Sequence, residues 1–138
     1  MKTEFVTYEI ALELKELGFD EPCFAFFWNT GKFYTCTDYP HTISYHTQNQ
    51  LGDYNLDSTS TPLYQQAFRW FREKHNLLGN VYSNASGWLW EIHDSIGGTH
   101  RFGSGYSGDC EESGMFTSFD KAEHECLKKL IEIVKEKK

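Results

Sequence analysis

His93 and Asp94 stand side by side in the segment WLWEIHD, with His100 and Arg101 a short way beyond them. An imidazole next to a carboxylate is a minimal acid–base pair, because the carboxylate orients the ring and favours its protonated form. Read as chemistry, His93, Asp94 and His100 would be the acid–base groups of a small hydrolase, with Ser104 or Ser107 as the nucleophile. The surroundings weigh against this. Neither serine sits in a nucleophile elbow, and no spacing fixes nucleophile, base and orienter relative to one another. A non-catalytic protein is expected, with the hydrolase as the alternative.

Metal and nucleotide chemistry are weaker still. The six histidines, His41, His46, His75, His93, His100 and His124, show neither H-E-x-x-H nor a tight Cys/His pattern. His93, His100 and Cys110 would meet at one ion only through loop folding, so no metal and no cofactor are expected. GSGYSG, from Gly103 to Gly108, matches G-x-G-x-x-G. The dinucleotide motif needs a helix directly after it, and the acidic DCEESG that follows here would repel phosphate. Cys23, Cys36, Cys110 and Cys126 form no C-x-x-C pair and are expected as free thiols, with Cys126 a small core residue in an apolar helical stripe.

Contact chemistry is better supplied. Two polar stretches, Asp38 to Thr61 and Ser95 to Gly114, are longer than ordinary connections in compact domains. Such loops often carry function, the competing reading being passive insertion. Their Tyr, His and Arg content suits adaptable binding. Tyr39, His41, Tyr45, His46, His100, Arg101 and Tyr106, with His93 at the border of the second stretch, are the candidate ligand- or partner-binding residues. His100 and Arg101 are the sharpest, since one titrates near neutral pH and the other clamps a carboxylate or phosphate.

The elements that must hold these residues are legible in the hydrophobic pattern. Thr7 caps a helix whose Ile10, Ala11, Leu14 and Leu17 share a face, with Gly18 ending it. CFAFFW (Cys23 to Trp28), NTGK and KFYTCT (Lys32 to Thr37) read as a hairpin. TISYHT alternates enough for a short edge strand. A second helix should open with Thr61 as N-cap and Pro62 at its first position, and stop near Asn76, before Gly79. NVYS and WLWEIHD flank NASG as a second hairpin, and a last helix runs from Thr117 or Ser118 almost to Lys138. Its apolar set is Phe119, Ala122, Cys126, Leu127, Leu130, Ile131, Ile133 and Val134. The expected fold is a single α+β domain over 1–138 in helix-hairpin-helix-hairpin-helix order, with a four-stranded antiparallel sheet and three helices packed on one face. The similar starts TYEIA and SFDKA hint at a duplication, but generic capping explains them more simply.

PLYQQAFRWFREKHNL, from Pro62 to Leu77, mixes rings with cations and poses its own question. On a helical wheel, Leu63, Tyr64, Ala67, Phe68, Trp70 and Phe71 fall on one arc, whereas Arg69 and Arg72 fall opposite. Nucleic-acid platforms need stacking rings beside phosphate-binding cations. Rings facing in and cations facing out make this an ordinary core helix.

Bulk composition agrees. The chain has 138 residues, 39% hydrophobic and 17% aromatic, which suffices for a core without metals or disulfides. Its net charge of -7 disfavours general nucleic-acid binding. The N-terminal MKTEFVTYEI has no apolar run of signal-peptide length, and no stretch is long and apolar enough for a membrane span. A cytoplasmic protein is expected.

Three segments together, GFDEPC (Gly18 to Cys23), PLYQQAFRWFREKHNL and CLKKLIEIVK (Cys126 to Lys135), give the chain a resemblance. It resembles a group of small uncharacterised proteins of Bacteroides-type gut bacteria and their phages or mobile elements. The likeness covers mostly scaffold and maps no catalytic residue. It implies a phage or mobile-element accessory protein that binds a host protein or a small ligand, or alternatively a minor structural protein of a phage particle.

Overall fold

The computed structural model describes residues 4–35, 58–84, 87–96, 98, 100–103 and 118–137. Its contacts cluster into two compact units, Met1–Gln65 and Gln66–Lys138.

In the first unit, α1 spans Tyr8–Glu16. The Thr7 hydroxyl accepts from the Ile10 amide at 3.4 Å, and Glu9 suits the positive end of the dipole. The helix ends as the sequence predicts. Gly18 takes φ 96°, open to glycine at little cost, while the Phe19 amide bonds to Leu14 and the Gly18 amide to Lys15, both as carbonyl acceptors. These two bonds satisfy carbonyls that the last turn would otherwise leave without partners. β1 (Ala25–Trp28) and β2 (Phe33–Thr35) form the first hairpin, closed by Gly31 at φ 85°.

Strand alternation sorts the rings of this hairpin onto two faces. Phe27 and Phe33 meet Tyr8 and Phe5 on one side, burying the α1-facing core. Phe26, Trp28 and Tyr34 cluster on the other side, with the Lys32 ammonium 5.3 Å from the Tyr34 ring centre.

β3 (Ser58–Thr61) corrects the sequence reading. These residues end the first polar stretch, yet they pair with β1 along its whole length. Thr61 therefore does not cap the second helix. Its side chain is buried and its hydroxyl donates to the Val6 carbonyl at 2.9 Å, while the Val6 amide donates to Pro62 at 3.0 Å. Phe5 and Leu63 form a further antiparallel bridge. With Thr61 and Pro62 committed to the N-terminal segment, α2 begins later, at Tyr64, and runs to His75.

The second unit contains most of α2, then β4 (Leu77–Asn84), β5 (Gly87–Asp94), β6 (His100–Gly103) and α3 (Phe119–Lys137). The wheel separation in α2 holds. Ala67, Trp70 and Phe71 are buried, whereas Arg69 and Arg72 are exposed. Trp70 packs edge-on against Phe71 and His75, at 5.0 and 4.8 Å between ring centres. Lys74, inside the apolar arc on the wheel, is exposed at the helix end. α3 packs against β4 and β5. Ser118 is its N-cap, its hydroxyl accepting from the Lys121 amide at 3.2 Å. Its expected apolar set is buried, apart from Phe119, which is 41% exposed and touches the Trp88 ring.

The expected four-stranded sheet with helix-hairpin order and three helices on one face does not form. Each hairpin acquires a third strand, giving two three-stranded antiparallel sheets, ordered β2-β1-β3 and β4-β5-β6. STST and HRFG carry no hydrophobic alternation, so nothing in their own pattern announces a strand; an existing hairpin edge recruits them. The central strand is the first of its hairpin in one sheet and the second in the other, so the sheets do not repeat one topology. TISYHT lies outside the described residues.

Candidate functional site

The second sheet brings part of the expected site together. Along β5, Glu91 and His93 are two residues apart and so share a face. Glu91 Oε1 lies 3.0 Å from His93 Nε2. The side chains are 20% and 24% exposed, respectively, so the pair is reachable from solvent without being loose on the surface. The carboxylate that reaches the His93 ring is thus Glu91. Asp94, assigned that part from its adjacency in sequence, alternates to the other side of the strand and stands opposite Leu77 in the ladder. Glu91 was missed because a carboxylate next to histidine in sequence looks closer than one two residues away; in a strand the reverse holds.

β6 supplies the rest. Its ladder pairs Glu91 with Gly103, Ile92 with Phe102 and His93 with His100. One step along β5 is matched by two along β6, so Arg101 is the extra residue of a β-bulge at Ile92/His93. Both of the sharpest sequence candidates therefore stand at the His93 position of the sheet.

The turn leading into β6 is held by the end of α2. Asn76 adopts φ 57°, a left-handed conformation that asparagine tolerates better than most residues. Its carbonyl accepts from the Ser95 amide at 3.0 Å, and its Oδ1 accepts from the Ile96 amide at 2.9 Å and from the Ser95 hydroxyl. Asn76 thus ends α2 and fixes the start of the turn that delivers His100.

Two other clusters bear on chemistry. Cys126 is fully buried and its thiol pKa is pushed far up, chiefly by burial and further by the charge of Glu123, against a backbone hydrogen bond from Asn80. A thiol so held is a poor nucleophile. Cys23 is likewise free and buried. Glu123, also on α3, has its pKa raised to about 7, by burial first and by the charge of Asp120 second.

Tyr39, His41, Tyr45, His46 and Tyr106 lie outside the described residues, as do Cys36, Cys110, Ser104 and Ser107. Gly103 ends β6, and the rest of the glycine motif lies outside them as well. Among the described residues, no group of three or more His, Cys, Asp or Glu could hold a metal ion, and no helix is long and apolar enough to cross a membrane. No family model matches the chain, and neither a curated protein nor a solved structure matches it.

Proposed function

We propose that the chain is a non-enzymatic interaction module that holds a host protein or a small ligand at the β5–β6 bulge. The observation that supports this reading is the register of the second sheet, whose backbone sets His100 opposite His93 with Arg101 as the inserted residue, next to the Glu91–His93 pair of β5. Bulges recur where a sheet must re-aim side chains toward a ligand. The hydrolase alternative is less favoured, since the carboxylate 3.0 Å from His93 Nε2 is that of Glu91, the candidate serines lie outside the described residues, and the Cys126 thiol is too buried to replace them. A second support is the likeness of three segments to small accessory proteins of Bacteroides-type bacteria and their mobile elements, which commonly act by binding.

The test is retention of a natural partner from the native cell by tagged protein. Wild type should hold a component that the His93→Ala variant and the His100→Ala, Arg101→Ala double variant lose, with unchanged melting temperatures. If those variants still hold it, while Arg69→Ala with Arg72→Ala on α2 releases it, the site is the helix face and this reading is wrong.

A further inference from the structure

We infer that the N-terminal end of α3 is a pH-sensitive latch, closed on the second sheet while Glu123 is protonated and released from it when Glu123 ionises. The geometry is that of a carboxyl placed where an anion finds no support. Glu123 follows Phe119 by four residues and precedes Cys126 by three, so the three share one face of the helix. Both neighbours are fixed to the sheet: the Phe119 ring centre lies 5.4 Å from that of Trp88, and Cys126 Sγ packs over Gly79. Glu123 is only 9% exposed, and among the described residues its carboxyl has neither a hydrogen-bond donor nor a cation.

The elements packed against α3 bring no compensating charge. Gly79 faces Cys126 and its ladder partner is Ile92, so Trp88, Trp90, Ile92 and Asp94 of β5 point toward α3, whereas Glu91 and His93 point away. Asp94 stands opposite Leu77, at the other end of the ladder from Trp88, and as an acid could only oppose the anion. Tyr82, the one ionisable side chain of β4, pairs with Leu89 on the far face. α2 brings the Phe68 ring to Gly79; its Arg69, Arg72, Glu73 and Lys74 are exposed, and His75 packs on Trp70 and Phe71. On α3 itself, Asp120 repels a second negative charge, Lys121 is exposed, and Lys128 and Lys129 pair with Glu125 and Glu132. The macrodipole favours an anion chiefly within the first turn, which Asp120 already occupies.

Release breaks few contacts. They include the Lys121 amide bond to the Ser118 hydroxyl, the Ala122 amide bond to the Ser118 carbonyl, and the partly exposed Phe119 ring on Trp88. Opening gives Glu123 to water and uncovers the Trp88 ring. Burial, and then Asp120, raise the carboxyl pKa from 4.5 to about 7, so the closed form is favoured at low pH and loses ground as pH rises through that interval. From pH 5 to pH 8 the opening equilibrium should grow by about fivefold to seventyfold, the lower figure allowing for solvent screening.

The experiment measures amide hydrogen exchange of the full chain from pH 5 to pH 8, as protection factors that remove the intrinsic pH dependence, with urea added in small steps. Protection at Ala122 should fall by the stated factor and depend little on urea, as local opening requires, while Leu130 and Ile131 show the steep urea dependence of global unfolding. Glu123→Gln should abolish the fall at Ala122, Asp120→Asn should shrink it, and His124→Gln should leave it in place. A fall that persists in Glu123→Gln, or vanishes in His124→Gln, overturns the inference. So does a urea dependence at Ala122 as steep as at Leu130, which makes the opening global. Protection at Ala122 that stays constant with pH overturns it too, since the carboxyl then turns to solvent on an intact helix.

Discussion

Replacing Glu123 by glutamine should make the protein more stable above neutral pH and change it least below about pH 4.5. The carboxyl lies in the buried stripe of α3 next to Cys126, and its pKa is raised from 4.5 to about 7 by burial and by Asp120. A raised acid pKa means that the folded state holds a proton which the unfolded chain releases. Stability is then full below about pH 4.5, falls as pH rises, and levels off once pH passes about 7. Between pH 5 and pH 8 this single group should cost about 1–2.5 kcal/mol, the upper figure being roughly 1.36 kcal/mol per pKa unit with no solvent screening of the carboxylate. Glutamine keeps the shape and cannot ionise, so wild type minus variant isolates the effect from every other titrating group. Urea unfolding at 25 °C is the assay. With a slope of about 2 kcal/mol per molar for a small protein, the wild-type midpoint should drop by roughly 0.5–1.3 M relative to the variant across that range. Asp120→Asn should make the drop smaller and end it at a lower pH than in wild type, because the second cause of the raised pKa is gone. A wild-type-minus-variant difference that stays flat from pH 5 to pH 8 would refute the reasoning.

Other perturbations follow from the packing. Trp70, 4% exposed, should cost about 3–5 kcal/mol as Trp70→Ala, whereas exposed Arg69→Ala should cost under about 0.5 kcal/mol; comparable losses in denaturant melts would contradict the inward ring face of α2. Gly79→Ala should destabilise by about 1–3 kcal/mol, since its new methyl would meet the Phe68 ring at 2.6 Å and Cys126 Sγ at 3.1 Å; thermal melts check this. Asn76→Gly keeps the left-handed backbone and the carbonyl bond to the Ser95 amide but removes the Oδ1 bonds to the Ser95 hydroxyl and the Ile96 amide, and should lose about 0.5–1.5 kcal/mol, with faster amide exchange at Ile96 as the local readout.

What the sequence disclosed about the fold was whatever an element carries within itself. α1 and α3 bring their own caps and apolar stripes, and the two hairpins bring their own alternation, so both kinds were legible. β3 and β6 were not. Ser58–Thr61 has polar residues at every position, and it is a strand because β1 offers a free edge and Val6 takes the Thr61 hydroxyl. That long-range bond also displaced the start of α2. Thr-Pro is a strong local helix signal, but the hydroxyl that would cap Tyr64 and its successors was already bound to a carbonyl distant in sequence. Gly79 was read as punctuation after a helix; it lies within β4 because Phe68 and Cys126 leave no room there for a side chain.

The candidate site divides along the same line. His93, His100 and Arg101 were visible as residue types, because imidazole and guanidinium are rare enough to notice. Their relation was not visible, since it depends on where β6 bulges against β5. Without the bulge, regular pairing from Glu91 with Gly103 and Ile92 with Phe102 would set Arg101 opposite His93, and His100 would fall beyond it. One inserted residue instead sets His100 opposite His93 and adds Arg101 at the same position. The glutamate that completes the pair was hidden by a simpler rule. Residues adjacent on a strand face apart, so His93 finds its carboxylate two positions back, at Glu91, and the neighbouring Asp94 is the one that strand geometry turns away.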